Sequence, residues 1–332
     1  MRANRREFFM ASTAAAAALA MPLPFAGRAF AQDAAAPAEG GQAAAAYRYK
    51  SGDIVVTAAT EGVNIRELEE GFVTNASLDE VKAALDEAFL APDILAIPFT
   101  PVVIRSGADL ILLDTGFADN GPPTAGMLRA NLASVGIAPE DITKVLVSHF
   151  HGDHIQGIRN KAGELVYPNA EIHVPEPEWA FWMDDAKMAA APEGARGGFE
   201  TARRVFGPNA ADIVRFGWDE EVLPGIQSVD AHGHTPGHTA FVVGSGDERV
   251  MMLADTTNHP ALFVRNPDWA AVFDMDADAA RQTRHRLLDM AAADRLQVAG
   301  YHFPFPATGH IVKDGERYRF HPAMWMPVLD PT

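Results

Sequence analysis

Short apolar runs bounded by turn residues recur along this chain, and stretches with helical spacing lie between them. Residues 53–57, 101–105 and 110–113 read as strands, the last two paired around the turn at 106–109. Residues 141–147 end in an apolar, β-branched run that reads as a buried strand. Residues 171–174, 241–244 and 250–254 continue the series, and 211–218 and 222–229 lead into a histidine-rich loop. Helical spacing covers 124–135, closed by Gly136, and 277–293. Ser77 and Glu80 form a capping box that opens a helix through about Phe89. Pro139 starts a short helical turn before the strand at 141–147. This order predicts two sheets sandwiched between helices, with ligands on loops at one edge.

The polar residues change the picture after Val147. The strand stops at Ser148, and Ser148-His-Phe-His-Gly-Asp-His-Ile-Gln-Gly157 crowds the loop that follows. A His-x-His pair on extended backbone points both rings to one side, because strand side chains alternate. Gly152 is expected to let the loop turn back, so that Asp153 and His154 face a second ion. His234, Asp255 and His302 follow at wide intervals. Five imidazoles and two carboxylates can build two adjacent metal sites, and a metal pair turns water into hydroxide at neutral pH. The donor set suits zinc first, accepts iron, manganese or cobalt, and suits calcium poorly. Residues of this kind are costly to bury together unless an ion neutralises and organises them.

Composition narrows the partners. The chain has 332 residues, 48% hydrophobic and 21% charged, enough for a full core. Its net charge of -17 argues against nucleic acid, which needs a basic face. Cysteine is absent, so neither a disulfide nor a thiolate ligand is available. Asn4-Arg5-Arg6-Glu-Phe-Phe-Met10, a small-residue apolar stretch at 11–20 and Ala29-Phe-Ala31 predict a twin-arginine signal peptide over 1–31 and export to the periplasm. The apolar stretch is too short to stay in a membrane as a spanning helix. A flexible linker is expected over 32–46 and a single catalytic domain over 47–332.

The His149–His154 motif does not stand alone. Leu112-Leu-Asp-Thr-Gly116, His234-Thr-Pro-Gly-His238, Met251-Met-Leu-Ala-Asp255 and a late His302 after Val298-Ala-Gly-Tyr301 accompany it. In this order the chain resembles the metallo-β-lactamase-fold hydrolases over about residues 50–315. Within them, the ending Tyr301-His-Phe-Pro-Phe-Pro-Ala-Thr-Gly-His310 and the leader look like the methyl parathion hydrolases and dihydrocoumarin-type lactonases. The resemblance implies an α+β fold, the αββα four-layer sandwich. It implies one ion on His149, His151 and His234, a second on Asp153, His154 and His302, and Asp255 as the bridge. His238 is then a structural histidine.

The implied reaction is hydroxide attack on a small neutral lactone or aryl ester, with Asp153 and Asp255 as catalytic carboxylates and Asp153 handling the proton. Trp179, Phe273, Phe72 and His259 are the implied substrate-binding residues. Asn120 stands where the organophosphatases carry a pocket phenylalanine, which ranks phosphotriester hydrolysis second. The absence of cysteine and the presence of Asp255 argue against antibiotic hydrolysis. A non-catalytic periplasmic metal-binding module ranks last, because the donor set is complete. A homodimer is expected through residues 47–72.

Overall fold

The computed structural model describes residues 43, 45–246 and 248–329. The expected leader at 1–31 and the linker positions 32–42 lie outside the described residues. Strands β1 (Ala46–Ser51) and β2 (Ile54–Ala59) open the fold, followed by β3 (Gly62–Glu67) and β4 (Ile94–Phe99). Next come β5 (Val102–Ser106), β6 (Asp109–Leu113), β7 (Lys144–Leu146), β8 (Glu171–Pro175) and β9 (Val214–Phe216). The second half supplies β10 (Glu221–Leu223), β11 (Ile226–Asp230), β12 (Thr239–Ser245) and β13 (Glu248–Ala254). It ends with β14 (Gln297–Gly300), β15 (Thr308–Asp314) and β16 (Arg317–Pro322). One seven-stranded sheet runs β1-β2-β5-β6-β7-β8-β9 and the other β10 through β16 in sequence, while β3 and β4 form a separate hairpin.

The helices are α1 (Leu78–Glu87), α2 (Leu128–Ala133), α3 (Gly152–Ile155), α4 (Glu176–Trp182), α5 (Asp185–Ala190), α6 (Glu193–Phe206) and α7 (Ala277–Ala293). Alternation along the strands explains the layers. In β6, Ile111 packs between the sheets with Ile104, Phe241 and Val250. Its neighbours Leu110 and Leu112 point the other way, into a cluster with Phe199, Val205 and Phe206 of α6. In β13, Val250 and Met252 face the first sheet, whereas Met251 and Leu253 meet Leu287, Leu288 and Ala291 of α7. Strands covered on both faces have no polar side to show, so they read as unbroken apolar runs. The result is the expected αββα sandwich.

Several local expectations change. Ala45 donates its N–H to Asn131 and Ala46 opens β1, so the fold begins inside the expected linker. The run at 222–229 is two strands, because Pro224-Gly225 turns the chain between β10 and β11 and Gly225 sits at φ 75°. The helix expected over 124–135 is only α2, which starts after Gly126 at φ 91°. Gly152 does not turn the loop back; it is the first residue of α3, and His151 caps that helix with extended backbone. Residues 47–72, expected at a dimer contact, include β1 to β3; Tyr47, Val56 and Phe72 are buried in the chain's own core, and Ile65 is exposed. No helix among the described residues is long and apolar enough to cross a membrane.

Candidate metal centre

The chemistry-bearing residues leave the sheets at the ends of parallel strands. β6 and β7 are parallel neighbours in one sheet, and β13 and β14 in the other. Asp114 follows β6, His149–His154 follow β7, Asp255 follows β13 and His302 follows β14. Asp114 (φ 58°) and Ala254 (φ 44°) adopt left-handed backbone just where their strands end. A non-glycine residue is held there at a cost of about 1–2 kcal/mol. The turn at Ala254 delivers Asp255 to the sheet edge.

Three groups of donors converge, one of them His149, His154 and Asp255. His149, His151 and His234 form another, and Asp153, His154 and His302 the third, each with its donor atoms within 4.8 Å of one another. Asp255 belongs to both sides. Its Oδ2 lies 3.0 Å from His302 Nε2 and 3.3 Å from His234 Nε2, and its Oδ1 lies 3.3 Å from His154 Nε2. His151 Nδ1 faces His234 Nε2 at 3.0 Å. His149 Nε2, His154 Nε2 and Asp255 Oδ1 are buried without a hydrogen-bond partner. Unpartnered buried polar atoms are rare and demand an explanation, and these face one another across a space that divalent cations fit.

Outer contacts aim the rings. His154 Nδ1 donates to Asp114 Oδ2 at 2.8 Å, and His302 Nδ1 donates to the Pro98 carbonyl at 2.8 Å. His234 Nδ1 donates to Asp274 Oδ1 at 2.9 Å, and His149 Nδ1 sits 3.0 Å from Ser148 Oγ, which itself donates to Asp114. Each bond fixes the tautomer that turns an Nε2 lone pair inward, the arrangement that raises a histidine's strength as a ligand. His238 is different: Nδ1 donates to the Ala231 carbonyl and Nε2 accepts the Asp255 backbone N–H at 3.0 Å. Both its nitrogens are used, so it positions Asp255 and holds no ion.

Glu178 ties the two halves of the site together. Its carboxylate accepts from Phe150 N at 2.9 Å, Gly237 N at 2.6 Å and Trp182 Nε1 at 2.8 Å. Gly237 has no room for a side chain, since a Cβ there would lie 2.2 Å from Glu178 N. Tyr301 donates to the Asp153 carbonyl at 2.7 Å and packs its ring against His154.

Burial holds His149 well below the usual imidazole value and His151 down to about 3, so both are neutral. Burial also opposes protonation of His154 and His234, but there the carboxylates win. Asp153, Asp255 and Asp114 raise His154 well above its ordinary value, and Asp255 with Asp274 raises His234 to about 9. Without metal at pH 7.5, both therefore carry a proton that a cation must displace. Loading the protein at pH 7.5 is expected to release at least two protons per chain, read by indicator dye in weak buffer. The sign follows from the raised values: affinity climbs with pH until His234 has lost its proton near pH 9.

A sequence profile of the metallo-beta-lactamase superfamily matches residues 100–300. The chain belongs to the metallo-β-lactamase superfamily. An N-acyl homoserine lactonase of Bacillus sp is 25% identical over 170 residues, 46% of this chain and 60% of that one. Metallo-beta-lactamase domain-containing protein 1 of Mus musculus is 28% identical over 212 residues, 62% of this chain and 64% of that one. The chain thus spans less than two thirds of either relative. Among solved structures, AidC, a dizinc quorum-quenching lactonase in complex with the product N-hexanoyl-L-homoserine, superposes with a TM-score of 0.80 at 26% identity, covering 85% of this chain and 98% of that one. The hydrolase AbOPH gives 0.80 at 25% identity, covering 86% and 100%.

Here a cavity of about 260 Å³ opens over Asp153, Asp255 and His302, lined by Asn64, Ile97, Phe99, Phe117, Asn258 and Phe273. Phe273, an implied substrate-binding residue, lines this cavity. Phe72 does not line the cavity; it packs edge-on behind Phe273 at 5.8 Å and is buried. Trp179 does not line it either. α4 turns Glu178 and Trp182 toward the site, which leaves Trp179 against Phe206 with the Arg215 guanidinium 5.7 Å from its ring. His259 is buried outside this cavity, in the wall of a neighbouring apolar trough that His302 also lines. Asn120 is a clamp, not a wall: Nδ2 donates to the Phe117, Gln156 and Arg159 carbonyls. Sequence reading missed Phe117, Asn258 and Glu178, which carry no motif of their own.

Proposed function

We propose that this chain is a binuclear metal-dependent hydrolase that opens a neutral lactone. The observation that carries the reading is Asp255, within 3.3 Å of histidines on both sides of the centre at the floor of an aromatic cavity. The likeness to a dizinc lactonase supports the ion pair and the ring ester. Two bound divalent cations supply Lewis acidity toward a carbonyl and acidify water to near-neutral pKa.

The residues then divide the work. Phe99, Phe117 and Phe273 hold an apolar ring or acyl body, and the cavity wall carries no lysine or arginine to favour an anionic substrate. Asn258, buried with Oδ1 unpartnered, offers its amide to a substrate carbonyl or amide. Asp153 is partly open to the cavity, and its carboxylate is placed to take a proton from the attacking water and return it to the departing alkoxide.

The test compares kcat/KM for N-hexanoyl homoserine lactone, dihydrocoumarin and methyl paraoxon on zinc-loaded protein. At least one lactone is expected to exceed the triester by about 100-fold, a discrimination of about 3 kcal/mol in the transition state. Cleavage of the triester alone would refute the lactone reading and favour an organophosphate hydrolase. Phe117→Ala is expected to raise KM about 10-fold with kcat little changed, since it removes apolar contact made equally in ground and transition states. Export through the leader at 1–31 belongs to the same proposal. Fractionation of cells expressing the R5K/R6K double variant is expected to find the protein retained in the cytoplasm.

A further inference from the structure

Arg284, on the inner face of α7, is a fully buried guanidinium among loops rather than against solvent. Its Nε donates to the Thr256 carbonyl at 2.9 Å, and its Nη1 donates to the Pro267 carbonyl at 2.9 Å and to the Trp269 carbonyl. Its Nη2 lies 3.3 Å from Asp274 Oδ2, and Phe263 packs under its plane at 5.2 Å. One side chain thereby fixes the segment that begins with Asp255 and ends with Phe273 and Asp274.

Asp274 continues the chain of contacts. Oδ2 also accepts the Ala271 N–H at 3.0 Å, and Oδ1 accepts from His234 Nδ1 at 2.9 Å. The next two residues bind back to the His234 loop: Met275 N donates to the His234 carbonyl at 3.0 Å and Asp276 N to that of Gly233 at 2.9 Å. A buried arginine keeps its charge, so it needs a buried anion, and a buried carboxylate that meets a histidine strengthens that histidine toward a cation.

We propose that Asp274 and Arg284 are positioning residues for the metal group His149–His151–His234: Asp274 orients and charges His234, and Arg284 locks Asp274 to the segment carrying Asp255 and the cavity wall at Phe273. Ligand and wall then move as one unit. The other group, Asp153–His154–His302, is held by Asp114, Tyr301 and the Pro98 carbonyl and meets this network only at the shared Asp255. The two groups should therefore respond differently to its loss.

The inference rests on the two-ion reading, and the experiment separates the two. Full-length wild-type protein and the variants Asp274→Asn, Arg284→Lys and Asp114→Asn are titrated stepwise with zinc against a competing chelator, and with cobalt to follow the d–d bands of each group. Asp274→Asn, an isosteric change, is expected to weaken one step by about 10- to 100-fold and leave the other within about twofold. Arg284→Lys keeps the charge but not the fork to three carbonyls, and is expected to weaken the same step by about 10-fold. The Asp114 carboxylate holds His154 directly and reaches His149 only through Ser148, so Asp114→Asn should weaken the opposite step more than the first. Equal loss in both steps, or no loss in either, would overturn the proposal. Wild-type protein that takes up fewer than two ions would instead overturn the two-ion reading beneath it.

Discussion

Replacing Asp255 by alanine is expected to lower kcat/KM for a lactone by about 10³-fold and to leave no more than one ion bound per chain. Among the described residues, Asp255 lies within 3.3 Å of His154, of His234 and of His302. It is almost wholly buried, and the surrounding histidines hold its carboxyl well below the usual range despite that burial. Without it, two cations would face each other with no shared counter-charge in a largely buried site, where such repulsion is poorly screened. Losing several kcal/mol of charge stabilisation corresponds to about three decades in rate. Steady-state kinetics with metal analysis on the same sample checks both halves. A variant with two ions and activity within tenfold of wild type would contradict the role given to this carboxylate. His238→Phe should mimic it weakly, because it frees the Asp255 backbone N–H and not its carboxylate.

Glu178→Leu is expected to destabilise the metal-free protein by about 4 kcal/mol. Three buried donors, Phe150 N, Gly237 N and Trp182 Nε1, lose their acceptor at once, and each unmatched group costs about 1–3 kcal/mol. The gain from no longer burying a carboxyl, whose pKa burial raises here, offsets part of that sum. Urea unfolding in excess chelator reads the effect without a metal contribution. Glu178→Gln keeps one acceptor oxygen, for the Phe150 and Trp182 donors that share Oε2, while its NH2 group cannot accept from Gly237, so it should recover only part of the loss. A loss under about 1 kcal/mol for the leucine variant would mean that water or a neighbour satisfies those donors, and that Glu178 does not join the two loops.

What the sequence showed and what it hid follow from how far each signal reaches. The His149–His154 run was legible because four donors fall within six residues on one strand end. The strands at 110–113 and 250–254 were legible as apolar runs because each is covered on both faces. α7 was legible because one apolar stripe packs on one sheet, and its bounds agree with the spacing. Within 222–229, Pro224-Gly225 is itself a legible turn signal, and it divides the run into β10 and β11. Gly152 misled because glycine can serve a turn or a helix start, and only the backbone angles decide.

The walls of the site were mostly hidden. Trp179 and Trp182 look alike in sequence, yet three helix positions separate a side chain packed on Phe206 from one bonded to Glu178. Phe117 and Asn258 are distant in sequence and meet only through the fold. The buried arginine at 284 looked like any charged position on an amphipathic helix, and nothing local marks its partner at Asp274.

The most direct measurement is anomalous diffraction at the zinc edge from crystals of the zinc-loaded protein. Two peaks per chain are predicted, one among His149, His151 and His234 and the other among Asp153, His154 and His302, both in contact with Asp255. A single peak, or a pair that leaves Asp255 uncoordinated, would contradict the two-ion centre.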